Sequence, residues 1–282
     1  MYKKALTFIL VCFGLSLLAA GLFYKSGAGY ASPQGAVFAT AYMFIPLVSV
    51  VLTQLVCGEK PFWDCGISFK VNRWWFIAWL GLPLIPLLGI GIALLLPGVC
   101  LSLDSPLMQD AGRSFAETGL PVGPWGVLGI TLLSGYLAGC TVNAVAAFGE
   151  EAAWRGFLDR TLSRLGFWPR ALLIGAVWGV WHAPIILMGH NFPAHPVAGV
   201  FAMTAFCMAA APVFLYLRQR SGSVVVAAIA HGTFNSVAGM SVMLLAGGSD
   251  LVKSPCGAGA IAAMAVIDII IALTYKESKS VN

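Results

Sequence analysis

Six polar residues in an otherwise apolar chain have types and spacing that permit hydrolysis. Glu150 and Glu151 adjoin in Phe148-Gly-Glu-Glu-Ala-Ala-Trp-Arg155. His182 ends Trp178-Gly-Val-Trp181-His182, and His231 and Asn235 stand four apart in His231-Gly-Thr233-Phe-Asn235. A carboxylate and an imidazole can together hold a water and take its proton. A second imidazole and a carboxamide can donate to a developing oxyanion. Asn235 has no basic atom, so its value is as a donor. Glu151 and Arg155 are four apart and pair on one face of a helix. Glu150 points about 100° away from that face, at ~3.6 residues per turn, and has no local partner by spacing. No Ser is evidently coupled to a His and an Asp. Asp268, the other acid within an apolar stretch, has no partner by spacing either.

Each residue also has a plainer reading. A single His in an apolar span serves more often as a hydrogen-bonded packing residue than as a catalyst. Glu151 with Arg155 reads as a structural pair, Trp178 as packing, and Gly232 and Gly239 as close helix contacts. His190 and His195 fall in a loop and need no special explanation. The joint occurrence argues the other way. An ionisable group in a span costs about 2.5–3.5 kcal/mol on insertion scales, so polar groups on three spans point to a buried site.

The elements that must position these residues follow from composition. The 282 residues are 59% hydrophobic and 10% charged, a balance that excludes an ordinary soluble domain and reads as a polytopic membrane protein. The net charge of +5 is spread over short loops, which excludes a nucleic-acid surface. Seven scattered Cys without a CxxC pair argue against a structural zinc site or a redox motif. Cys100 and Cys256 fall on one side and could pair if that side is oxidising.

Stretches of about 17–25 apolar residues fit a ~30 Å hydrocarbon core. Eight are expected in an all-α transmembrane helical bundle, one integral membrane domain over residues 1–282. They run at about Ala5–Tyr24, Gly35–Val56, Trp74–Leu96 (kinked at Pro83 and Pro86), Trp125–Gly149, Ala171–Met188, Pro196–Leu217, Val224–Leu245 and Ala258–Tyr275. The first is read as a retained span rather than a signal peptide. The loop Pro97–Pro124 has room for a short surface helix, and the fourth helix continues beyond Gly149 towards Arg164, out of the membrane.

Thirteen of the sixteen Lys and Arg, Lys276 and Lys279 of the tail among them, then fall on the side of the N-terminus. Lys25, Arg113 and Lys253 fall on the other. Both termini are therefore expected in the cytoplasm. Counted from that side, Glu150 is at the membrane surface. His231 is about 10 Å deep and His182 about 16 Å, at ~1.5 Å per residue, so the site is expected towards the cytoplasm.

These three motifs, in this order over about residues 140–240, resemble those of the CAAX-type prenyl protease family. That group of intramembrane proteases also includes bacteriocin-processing and self-immunity proteins. The family pattern is two glutamates, three residues and an arginine; then an aromatic, three residues and a histidine; then a histidine, three residues and an asparagine or similar. Trp178 stands where many members have Phe, a conservative difference. The resemblance implies an eight-helix bundle with a conical cavity open to the cytoplasm and the membrane. It implies that Glu150 with His182 activates water, that His231 and Asn235 form the oxyanion hole, and that Glu151 and Arg155 orient the site. It implies an endopeptidase that removes the last three residues of a prenylated CaaX protein held at the lipid bilayer. A zinc site is possible from a Glu and two His, but a metal-free mechanism with no cofactor is the better reading, since Asn235 is a poor zinc ligand and no HExxH occurs. A proton-coupled carrier, with Glu150, His182 and His231 as a relay, and a non-catalytic scaffold or immunity-type protein of the same fold are the competing readings.

Overall fold

A computed structural model describes residues 2–275; Lys276 and Lys279, counted above with the basic side, lie outside the described residues. The architecture is a helical bundle. Among the described residues seven helices are long and apolar enough to cross a membrane: Lys3–Lys25, Pro33–Val56, Arg73–Ala93, Phe167–Leu187, Pro196–Ser221, Val224–Leu244 and Asp250–Thr274. The pair Pro124–Gly139 and Val142–Thr161, fourth in chain order and bent by 50° at the break, makes an eighth when taken as one broken span. Seven of the eight expected spans occur as single long apolar helices and the fourth as this bent pair, and the surface helix forms over Pro106–Glu117.

Several helices begin where a polar residue precedes a sterically suited first turn. Ser32 accepts from the Gly35 amide ahead of Pro33, and Ser105 from the Met108 amide ahead of Pro106. A short oxygen-bearing side chain supplies an acceptor for an amide that the helix leaves unpaired, and proline at the first position has no amide to satisfy. The caps also tie loops together. Ser105 Oγ donates to the Met243 carbonyl (2.7 Å), and Asn72, which caps Trp74, donates to the Ser221 carbonyl (2.9 Å).

The breaks carry most of what the sequence did not specify. The third span opens into a π-helical turn over Ile77–Gly81 just before Pro83, which has no amide for the helical ladder. The second span is interrupted between Tyr42 and Ile45. The fourth bends at Cys140–Thr141 and then widens into a π-helix over Ala152–Leu158. A ribbon of β1 (Val99–Leu101) and β2 (Leu245–Gly247) was not foreseen; it pairs antiparallel, Cys100 opposite Ala246. Cys100 and Cys256 do not pair. Cys100 is exposed on β1, and Cys256 is buried, taking a hydrogen bond from Asn191 (3.7 Å).

One expectation needs correction. The helix after Gly149 does not leave the bundle: Glu150 to Leu158 is a continuous buried stretch. Trp154 and Phe157 pack on Phe8 of the first span, and Gly156 abuts Cys65 of the 57–73 loop. The eleven residue steps from Glu150 to Thr161 span about 16 Å at ~1.5 Å each. Glu150 therefore lies well inside the bundle rather than at its end.

Candidate active site

Three spans meet around Glu150, and small residues set how closely. A side-chain carbon at Gly149 would lie 2.5 Å from the Met43 carbonyl oxygen, at the interruption of the second span. One at Gly232 would lie 2.5 Å from the Ala144 amide. The neighbours Glu150 and His231 are thereby drawn into the same layer. Gly239, expected as another close contact, meets nothing within 4 Å and instead lines a cavity.

That cavity measures about 300 Å³. Glu150, His182, His231 and Asn235 all line it; Glu151 and Arg155 do not. The first three are buried and Asn235 is exposed. The structure thus brings the four motif residues to one cavity and sets the Glu151–Arg155 pair behind them.

Glu150 has partners that spacing did not reveal. The Trp178 indole N–H donates to its Oε2 at 2.6 Å, and Trp154, one turn on, donates to the same oxygen at 3.4 Å. Indoles donate and cannot accept, so both bonds are made to a carboxylate acceptor. No cation touches Glu150 among the described residues.

Glu151 is held differently. Its Oε1 accepts from Arg155 Nη1 at 3.0 Å and from His231 Nδ1 at 2.9 Å. The Arg155 guanidinium lies 4.4 Å from the Trp178 ring centroid and 5.0 Å from that of Phe214. Its Nε and Nη2 are buried without hydrogen-bond partners. The two π faces supply a favourable surface for a weakly hydrated planar cation.

The bonds made by Nδ1 settle the tautomers of both histidines. His182 sits at the break before Pro184, where its backbone amide turns to the Gly179 carbonyl (3.1 Å). Its ring Nδ1 takes the Trp178 carbonyl instead (2.8 Å). A carbonyl only accepts, so Nδ1 carries the proton, and neutral His182 presents a lone pair at Nε2. His231 likewise spends Nδ1–H on Glu151. Its Nε2 accepts when the ring is neutral and donates when it is an imidazolium.

Trp178 links these groups. Besides its bond to Glu150 it packs on His231 (ring centroids 5.3 Å), on Arg155 and on His182. It was read as packing. An indole in the turn before a buried histidine was the available signal. His190 was also under-read: it lines the cavity, and its Nδ1 bonds the Tyr30 hydroxyl at 3.0 Å. Burial pushes His190 down to about 4, so it is neutral near pH 7. His195 is a surface pair with Asp250 (2.5 Å), as a loop residue would be.

Among the described residues no group of three or more His, Cys, Asp or Glu is disposed to hold a metal ion. No curated protein matches the chain. Residues 126–237, from the bent fourth span to two residues beyond Asn235, match the model of the family described as Type II CAAX prenyl endopeptidase Rce1-like.

Proposed function

We propose that this membrane protein hydrolyses peptide bonds with a water activated by Glu150 and His182, and that His231 and Asn235 stabilise the oxyanion. The observation that carries the reading is the state of Glu150: a buried carboxylate on a cavity wall, held at one oxygen by two indoles and in contact with no Lys or Arg among the described residues. Its other oxygen remains for a water, and the Nε2 lone pair of His182 is a second acceptor for the same water's protons. A nucleophile poised between two acceptors is the arrangement general-base attack requires.

Attack on a peptide carbonyl gathers charge on its oxygen. Asn235 offers an amide N–H₂ from the cavity wall, and His231, whose Nδ1 bonds Glu151, offers Nε2–H when its ring is an imidazolium. Preorganised donors of this kind are each worth about 10²–10³ in rate. The proton taken by Glu150 then passes to the leaving amine. Arg155 acts through Glu151 and is a positioning residue.

The substrate that the family description supplies is a prenylated CaaX C-terminus, and it is the first to try. The walls contributed by Met203, Phe206 and Phe234 are apolar and suit a lipid-like or apolar peptide chain. The test is cleavage of a farnesylated CaaX peptide and of an unprenylated apolar peptide by purified protein, with and without a chelator. Release of a tripeptide from the first alone supports the prenyl substrate. Cleavage of both, or of the second, moves the substrate to other membrane peptides. Cleavage of neither by a folded protein overturns the reading.

A further inference from the structure

The loops of the bundle fall into two sets, each tied together by its own bonds. One set joins the 57–73 loop to the 218–223 turn through Gly66 O and the Val224 amide (2.9 Å) and through Asn72 and Ser221. Glu59 in that loop pairs with Lys4 and, at 3.0 Å, with Arg160. The last described residue, Tyr275, bonds Gln219 (2.6 Å). Both described ends of the chain therefore lie with this set. The other set joins Tyr30 to His190, Asn191 to Cys256, and Ala194 to Asp250 (2.7 Å). The β1–β2 ribbon lies with it.

The cavity opens towards the second set. Tyr30, His190, Asn191 and Pro255 line it and are half-buried; no described residue of the first set lines it. Its exposed lining residues are Thr40, Asn235 and Gly239. Thr40 is seven residues from the second-set end of its helix at Pro33 and Gly239 five from Leu244, about 10 Å and 8 Å at 1.5 Å each. Towards the first set the floor is closed by the buried side chains of Trp178, Phe214 and His231, with Trp154 and Arg155 beyond.

The basic residues follow the other face. Of sixteen Lys and Arg, the second set carries Lys25, Arg113 and Lys253. An excess of Lys and Arg marks cytoplasmic loops. The lining residues of the mouth belong to the set opposite the described ends of the chain, which sets the two orientation expectations, termini in the cytoplasm and a site opening to the cytoplasm, against one another.

We infer that the substrate enters from the extracytoplasmic side, as an apolar peptide segment lying in or leaving that half of the bilayer. The inference rests on the reading of Glu150 as the reacting group. It assigns the site a different substrate class from a C-terminus lipidated in the cytoplasm, which sits in the opposite leaflet. The mouth suits such a segment: Tyr30, neutral His190 and Asn191 offer hydrogen bonds to a peptide backbone without a fixed charge.

Labelling of intact spheroplasts with a membrane-impermeant maleimide tests this, with labelled positions read by peptide mass mapping. Natural Cys100 is exposed on the second set; Lys70→Cys reports the first, and Asn191→Cys and Thr40→Cys report the mouth. Cys100 and both mouth positions are expected to label before lysis, and Lys70→Cys only after it. The reverse pattern overturns the orientation. Labelling of Cys100 from outside with neither mouth position labelled in its variant overturns the route, and an unchanged melting temperature of each purified variant shows that it has folded. None of these outcomes depends on turnover, so a protein that labels as expected yet cleaves nothing refutes the protease reading and leaves the access route standing.

Discussion

The two sides of the helix at Glu150 and Glu151 show opposite solutions to one problem. Both carboxylates are buried, at 2% and 0% exposure. Glu151 is surrounded by positive and donating groups, Arg155 and His231, and is withdrawn from the cavity. Glu150 faces the cavity and has indole donors in place of a cation. A buried charge with a cationic partner is scaffolding, and removing one partner strands the other. A buried charge held by neutral dipoles keeps its basicity available at the surface of a cavity, which is where a base is useful.

Substitutions break this contrast in order of expected size. Glu150→Gln keeps the shape and the indole contacts at one oxygen but removes the base, so turnover is expected to be abolished with melting unchanged; near-normal turnover would remove Glu150 from the base role. Glu151→Gln strands Arg155, a loss of about 3–5 kcal/mol for one partner of a buried pair, visible as a lower melting temperature. Because His231 then faces a neutral carboxamide oxygen in place of a carboxylate, a rate defect should accompany it at temperatures where the variant is folded. A stability loss without a rate loss would confine Glu151 to the scaffold. Asn235→Ala should slow turnover about 10²–10³-fold, the loss of one oxyanion donor, with little change in KM; an unchanged kcat would take Asn235 out of the hole.

Trp178→Phe keeps the ring surface under Arg155 and deletes the 2.6 Å donor to Glu150. A hydrogen bond to a charged group is worth about 1.5–3 kcal/mol, so a roughly ten- to hundredfold slower turnover is expected. No rate change would return Trp178 to simple packing.

The smallest effect is at the base-rich face. The Lys4 bond, with Arg160 beside it, holds Glu59 below the usual carboxylate range against the cost of partial burial. Its contribution is therefore present above the ordinary carboxylate value and is lost as pH falls through the lower folded one. Glu59→Gln should cost at most about 1 kcal/mol and flatten the acid limb of the stability profile. A larger loss would mean that this link holds the bundle more than its exposure suggests.

Much of the fold was legible because hydrophobic length speaks directly: seven of the eight expected crossings occur as single apolar helices and the fourth as a bent pair, and the Glu151–Arg155 pair is one that helical spacing alone specifies. The four motif residues were legible as a set, since polar groups are costly in such spans. What the sequence hid depends on three-dimensional meeting points. The partners of Glu150 are indoles, indistinguishable from packing until their N–H direction is known. The π-helical turn and the 50° bend leave no periodicity signal. The depth of Glu150 was misjudged because the helix beyond it is covered by the first span and by Cys65, contacts far away in sequence. His190 looked like a loop residue because nothing local shows that its loop folds over the cavity mouth.

The most direct measurement is hydrolysis of a pool of apolar and farnesylated peptides by purified protein in detergent, where both faces are accessible, with the natural chain and Glu150→Gln compared at matched melting temperature and with ¹⁸O-water as solvent. The account predicts new C-termini carrying one ¹⁸O from the natural chain and none from Glu150→Gln. Equal cleavage by the two proteins would contradict it.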